Sequence, residues 1–294
     1  MYKDLFGKTR VKIGLHHHTT LSDGFSTPQN TVNLYRDAGY DGLALTDHWV
    51  FGNTQTIDGF PIFSGCEYNI GDWNTYKGVW HIVGLFMESE PSITPDFPPQ
   101  KIIDAIHSVG GLAVLAHPAW SLNTPAMIKE LHGFDATEIY NTVSGKGLSR
   151  RPDSSIIVDM LASDNLILPL IAADDSHYYG TNGWHDECTS FIMAECDSLD
   201  VNSIKEAVSS GKFYASTGPE IHLNLINGKA VVDSSPASEI VFMSNFSISP
   251  DRVFTGDGIT HAEYTPYPEE TFIRAYVTDK DGKTAWSNCI KLTK

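Results

Sequence analysis

Cysteine is scarce in this chain. Cys66, Cys188, Cys196 and Cys289 show neither CxxC spacing nor the density of a disulfide framework, so a reducing cytoplasm is their simplest home. Positive charge is also scarce: 20 Lys and Arg stand against 36 Asp and Glu, a net charge of −16. Binding a nucleic-acid polymer needs a basic footprint, and this balance excludes a non-specific one. Long apolar runs are missing too. The longest, Leu166 to Ala173, falls far short of a bilayer span, and no membrane partner is expected. The opening stretch MYKDLFGKTRVKIG has no apolar segment before a small-residue cleavage site, so the sequence predicts no secretory signal and a cytoplasmic location. Repeats of 20–50 residues and low-complexity tracts are absent. What remains is a globular balance, 41% hydrophobic and 19% charged over 294 residues, enough for one large domain or two ordinary ones.

To about residue 215, apolar runs alternate with segments of helical period. Val11–His18, Gly42–His48, Ile62–Glu67, His81–Phe86, Leu112–His117, Ala136–Tyr140 and Leu166–Ala173 read as strands. Pro28–Ala38, Pro99–Val109, Pro125–Leu131 and Ser154–Ala162 read as helices, three of them opening on the proline favoured in a first turn. Val201–Ser209 adds a helix with Asp200 as its N-cap. This alternation predicts an α/β domain with a mainly parallel sheet, open or closed into a barrel. From about Ile221 the pattern changes to hairpins, with Asn227-Gly228 and Asp281-Gly282 as turn signals. The predicted division is therefore 1–216 for the α/β domain and 217–294 for a small antiparallel β-sandwich.

Histidine is the composition outlier, with 12 residues. His16-His17-His18-Thr19, Thr46-Asp47-His48, Ala116-His117-Pro118 and Asp174-Asp175-Ser176-His177 each end a predicted strand. Residues two apart on a strand share a face, so His16 and His18 project together, as do Asp175 and His177. One histidine at a strand end is ordinarily just a satisfied polar residue. Four such clusters at equivalent strand ends point to a metal site, and imidazole with carboxylate suits Zn, Mn or Fe. His17 faces the other way and reads as packed, and Asp47 and Asp174 are placed to orient an imidazole. His107, His132, His222 and His261 carry no such pattern.

The order HxHT, SDG, TDH, a strand ending in Glu67, a strand beginning with His81, AHP and DxH resembles the PHP (polymerase and histidinol phosphatase) superfamily, over His16 to His177. The phrases GKFYASTGPEI and AWSNCI are similar to the join and end of its two-domain, carbaryl-hydrolase-like branch. The resemblance implies a distorted seven-stranded β/α barrel, TIM-like in type, with a trinuclear metal centre. Its nine ligands would be His16, His18, Glu67 and Asp175 for one ion; Glu67, His81 and His117 for a second; and Asp23, His48 and His177 for a third. Asp23 stands where some relatives have His. His48, Asp23, Glu67 and His177 are the expected catalytic positions.

Up to three divalent ions (Zn, Mn or Fe) would supply a metal-bridging hydroxide as nucleophile, so no serine or cysteine nucleophile is required. Nucleophile-elbow, P-loop and kinase signatures are absent. Lys146, Arg150, Arg151 and His185 are the candidate substrate contacts, and Tyr178, Tyr179 and Trp184 could stack on an aromatic group or simply pack. The leading expectation is hydrolysis of a small-molecule phosphate ester. A carboxylic or carbamate ester hydrolase using the same centre stays open, as does a metal-stabilised binding module.

Overall fold

The computed structural model describes residues 1–72, 78–145, 149–179 and 185–292. The first long strand, Thr9–Gly14, places Val11 and Ile13 in a fully buried core. Helix Pro28–Asp37 follows, its N-terminus capped by the Thr27 side chain and its Val32 and Tyr35 buried. It returns the chain to Gly42–Ala44, parallel to the first strand, and Phe60–Phe63 lies parallel beyond that. A second sheet holds Gly65–Gly71, Val79–Leu85, Leu112–Leu115, Ala136–Asn141 and Leu170–Ala173 in that spatial order. Its first three strands are antiparallel neighbours and its last three are parallel. Helix Pro99–Ser108 covers it with Ile102, Ile103 and Ile106, at the spacing of one helical face. The main core between the sheets takes Val11 and Ile13 from one and Val83, Val114 and Ile171 from the other.

The α/β class is as expected; the ladders themselves differ from a closed barrel. Among the described residues, thirteen strands form one sheet and five the other. Between the sheets run single bridges, His17 with Ser176, His48 with Glu67 and Gly52 with Gly65. The predicted strand Ile62–Glu67 divides between Phe60–Phe63 in the first sheet and Gly65–Gly71 in the second, and four others are shorter than their apolar pattern. The first leaves its ladder at Gly14 and the second at Ala44, while the last begins only after Pro169, which has no N–H to give. The residues past these ends carry the histidine clusters. Left-handed backbone occurs there, at Trp49 (φ 59°), His117 (φ 27°) and Asp175 (φ 52°). Such conformations cost roughly 1–3 kcal/mol each and persist where surrounding structure enforces them.

The C-terminal strands, Ile221–Ile226, Lys229–Met243, Val253–Tyr264, Phe272–Thr278 and Thr284–Trp286, are antiparallel, as the hairpin signals predict. They continue the first sheet. Ala215 and Ser216 pair with Trp286 and Ala285, covering a strand that would otherwise be an open edge. A buried Arg274–Asp159 pair (2.6 and 2.8 Å) ties these strands to helix Ser155–Ser163. No helix among the described residues is long and apolar enough to cross a membrane.

Candidate metal centre

The bridge between His17 and Ser176 sets the site's handedness. Pairing these two turns His16 and His18, on one side, toward Asp175 and His177 on the other. Backbone bonds from His18 N to Ser176 O (2.9 Å) and from Asp175 N to His16 O (3.0 Å) lock that register. His17 faces away, buried against Tyr35 with ring centroids 4.4 Å apart. At the other seam, Glu67 N donates to Thr46 O (3.1 Å), which brings Glu67 beneath His48. Gly24 lets the SDG loop close over this end. A Cβ there would stand 2.7 Å from the carbonyl of His18.

Four atoms form the innermost group: His16 Nε2, His18 Nε2, Glu67 Oε2 and Asp175 Oδ1. The carboxylate oxygens stand 3.0–3.3 Å from the two imidazole nitrogens, and the nitrogens 3.2 Å from each other. All four residues are buried. Ligand atoms around an ion with bonds of about 2.1 Å stand about 3.0 Å apart in octahedral and about 3.4 Å apart in tetrahedral geometry. The observed separations fall in that interval. Asp175 Oδ1 makes no hydrogen bond despite its two imidazole neighbours, so these lone pairs are directed at a common point rather than at each other. The donor set fits a divalent cation.

Glu67 joins this group to a second. Its Oε1 lies 2.7 Å from His81 Nδ1 and 3.4 Å from His117 Nε2. The third group surrounds Asp23, whose oxygens stand 3.5 Å from His18 Nδ1, 3.8 Å from His48 Nε2 and 3.5 Å from His177 Nε2. His48 also reaches Glu67 through Nδ1, at 3.3 Å. All nine sequence-derived ligand candidates therefore converge. Two details differ from the simple partition: His18 faces both the first and third groups, and His48 lies between the third group and Glu67.

The electrostatics describe a cluster suited to a cation. Burial pushes the Glu67 carboxyl up, but the imidazoles of His16, His81 and His48 outweigh it and hold the group well below its usual range. Burial opposes charge on His18 as well, yet Asp175 and Glu67 raise it to about 9. On His48 burial wins, lowering it to about 4. Carboxylates that draw protons onto buried imidazoles are the same carboxylates that a divalent ion would neutralise, releasing those protons. Cys66 is excluded as a nucleophile, since burial raises its thiol to about 12.

The groups line a cavity of about 340 Å³ that also includes Trp120, Val143, Ser144 and Tyr179. Arg150 and Arg151 are exposed and do not line it. His185 is 75% exposed, pairs with Glu187 at 2.8 Å, and is not brought to it either. Lys146 and Trp184 lie outside the described residues. Tyr178 packs into the adjoining core. Asp47 and Asp174 orient no imidazole. Asp47 accepts from Thr19 N (2.7 Å) and Ser22 Oγ (2.8 Å) and so holds the loop bearing Asp23. Asp174 accepts from Tyr35, Thr142 and the Ser190 amide, and burial raises it to about 7.

Sequence reasoning missed Glu138 and Asn141. Glu138 is fully buried, with Oε1 2.7 Å from His16 Nδ1 and Oε2 accepting from His117 N (2.9 Å) and Asn141 Nδ2 (2.8 Å). Asn141 Nδ2 also reaches Asp175 Oδ2 at 3.2 Å. The available signal was a carboxylate inside the apolar strand ATEIYN, where an unpartnered charge would be costly.

No family model matches the chain. An uncharacterised protein of Methanocaldococcus jannaschii is 31% identical over 121 residues, covering 37% of this chain and 68% of that one. A two-domain protein from Bacteroides vulgatus, containing a predicted PHP-like metal-dependent phosphoesterase, superposes with a TM-score of 0.52 at 16% identity. That match covers 100% of this chain and 98% of the other, so the fold is shared across the C-terminal strands as well. An amidohydrolase from Chromobacterium violaceum is 18% identical over 59% of this chain and 90% of its own, with a TM-score of 0.43. The HxHT, SDG, TDH, AHP and DxH motifs converge on one buried cluster in a chain that shares its fold with the predicted PHP-like two-domain protein.

Proposed function

We propose that the protein is a metal-dependent phosphoesterase acting on a small phosphorylated metabolite. The observation that carries this reading is Glu67, one buried carboxylate whose two oxygens face two different sets of imidazoles on the floor of an open cavity. His16, His18, Glu67 and Asp175 would hold one ion, Glu67, His81 and His117 a second, and Asp23, His48 and His177 a third, each Zn, Mn or Fe. Such ions supply Lewis-acid stabilisation of an ester's oxygens and an activated water at neutral pH.

The chain's own residues supply the positioning. Glu67 fixes the spacing of the first two groups, and Asp47 holds the loop that presents Asp23 at the mouth, where its side chain is 53% exposed. The third group is thus the one that an incoming substrate meets first. The reading includes a distorted seven-stranded barrel over 1–216, open where the two sheets meet only by bridges, and a cytoplasmic location.

A second reading, hydrolysis of a carboxylic or carbamate ester, is favoured by one observation. Among the described residues, no Lys or Arg lines the cavity, and a phosphate dianion gains most from such partners. The deciding experiment measures phosphate release from nucleoside, sugar and amino-alcohol phosphates with Mn or Zn supplied, using Asp175→Asn as control. Release that the variant loses supports the phosphoesterase. No release by metal-loaded protein, with turnover of an aryl or carbamate ester, moves the assignment to the second reading.

A further inference from the structure

We propose that Trp120 and Tyr179 are specificity-determining walls that select substrates carrying a planar apolar group beside the reacting bond. The inference rests on the reading of this cavity as the hydrolytic site.

The two rings stand against different ligand groups. Trp120, on the short helix Pro118–Ser121 that follows the strained His117, lies nearly perpendicular to the imidazoles of His81 (5.3 Å, 74°) and His117 (5.0 Å, 78°). Tyr179 lies parallel to His177, with centroids 5.1 Å apart and planes 4° apart. Phe25 continues this row outward, 5.9 Å from Tyr179 and 70% exposed. An ester placed over Glu67 directs its non-reacting part toward one of these walls. Trp120 and Tyr179 are both half-buried and both line the cavity, so each keeps surface toward it.

The chemistry of the walls excludes as well as attracts. No Lys or Arg among the described residues lines the cavity, and its carboxylates belong to the ligand groups. A substrate tail bearing further anionic groups meets no counter-charge from the described lining residues. A flat apolar tail meets rings that can take it edge-to-face or offset-stacked, the geometries aromatic pairs prefer. Selection by an apolar wall together with a missing cation is discrimination by both attraction and rejection.

The test is calorimetric binding of benzylphosphonate and ethylphosphonate to the Mn-loaded full chain, two anions that differ in the planar group and are not hydrolysed. Benzylphosphonate is expected to bind about tenfold tighter or more, and Trp120→Leu or Tyr179→Leu to cut that ratio by about threefold or more. Equal affinities in the wild type overturn the proposal, as does a ratio unmoved in both variants or no binding of either anion. If the variants fail to fold, the wild-type ratio alone decides. Benzyl phosphate separates the two readings. A retained benzyl preference without turnover leaves the walls standing and removes the phosphoesterase, whereas turnover without preference does the reverse.

Discussion

Glu138 Oε1 stands 2.7 Å from Nδ1 of His16, and both side chains are fully buried. A carboxylate at that distance holds a proton on Nδ1, so that with an ion bound Nε2 would be the ligand atom, facing Glu67 and Asp175. The other Glu138 oxygen fixes the His117 amide, and Asn141 links Glu138 to Asp175. Three ligands therefore depend on one strand. Glu138→Gln can present an amide N–H to His16 and favour the wrong tautomer. Metal affinity is expected to fall roughly 10–100-fold, measured by competition with a chromophoric chelator. Unchanged affinity in a folded variant would reduce Glu138 to a packing residue.

The same cluster predicts a metal-dependent melting temperature. Five imidazoles surround Glu67 within 3.4 Å, and without a cation the buried carboxylates must be balanced by protonated histidines. An ion that binds only the folded chain stabilises it by about 2.7 kcal/mol at a hundredfold excess over its Kd. Chelation should lower the melting temperature by several degrees, and Mn or Zn should restore it. Glu67→Gln should abolish the restoration together with activity. A melting curve indifferent to chelator and metal contradicts the assignment.

The histidine clusters were legible in the sequence because they stand just past strand ends, where topology brings them together whatever the strand lengths, whereas Asp23, Glu67 and His81 came from the resemblance, the last two lying inside Gly65–Gly71 and Val79–Leu85. Their grouping was less legible. Face alternation pairs His16 with His18, but it cannot show that His18 turns a second nitrogen to Asp23 or that His48 reaches both Asp23 and Glu67. Strand lengths were overread because apolar residues continue past the last ladder pair, as Leu15 and Leu45 do on leaving Gly14 and Ala44. The merging of the C-terminal hairpins with the first sheet depends on Thr284–Trp286 finding the edge at Phe213–Ser216, a pairing far apart in sequence with no local signal. Arg150 and Arg151 suggested an anion site by their charge on the loop leaving Ala136–Tyr140, at the ligands' end, yet both are exposed and an exposed loop accommodates such charges without a ligand.

Asp4 predicts an acid-side loss of stability away from the metal centre. Burial works against its charge, but the Arg10 guanidinium (2.8 Å) and the amides of Lys8 and Phe6 (2.9 Å each) outweigh that and hold the carboxyl below its ordinary 3.8. A lowered folded-state value stabilises fully above the unfolded value and is lost as pH falls through the folded one. Asp4→Asn should therefore cost roughly 2 kcal/mol near neutral pH, and the gap to wild type should narrow as pH falls below the ordinary 3.8. Urea unfolding at neutral and at acid pH checks the sign. A gap that widens in acid would contradict the assignment.

Arg274 and Asp159 offer the sharpest test of how the C-terminal strands are held. Arg274 is completely buried on strand Phe272–Thr278 and meets Asp159 on helix Ser155–Ser163 by two parallel bonds of 2.6 and 2.8 Å. Its remaining nitrogen, Nη1, makes no hydrogen bond, so the pair already bears some desolvation cost. Removing Asp159 alone strands a buried guanidinium and should cost roughly 3–5 kcal/mol in urea unfolding. Arg274→Met alone leaves a carboxylate close enough to the surface to recover part of its hydration, since the Asp159 side chain is 12% exposed against 1% for Arg274. It should therefore cost less than Asp159→Leu. The double variant Arg274→Met with Asp159→Leu replaces the pair by apolar volume and should recover most of the loss. Additive single costs in the double variant would mean that the two residues do not act as a pair.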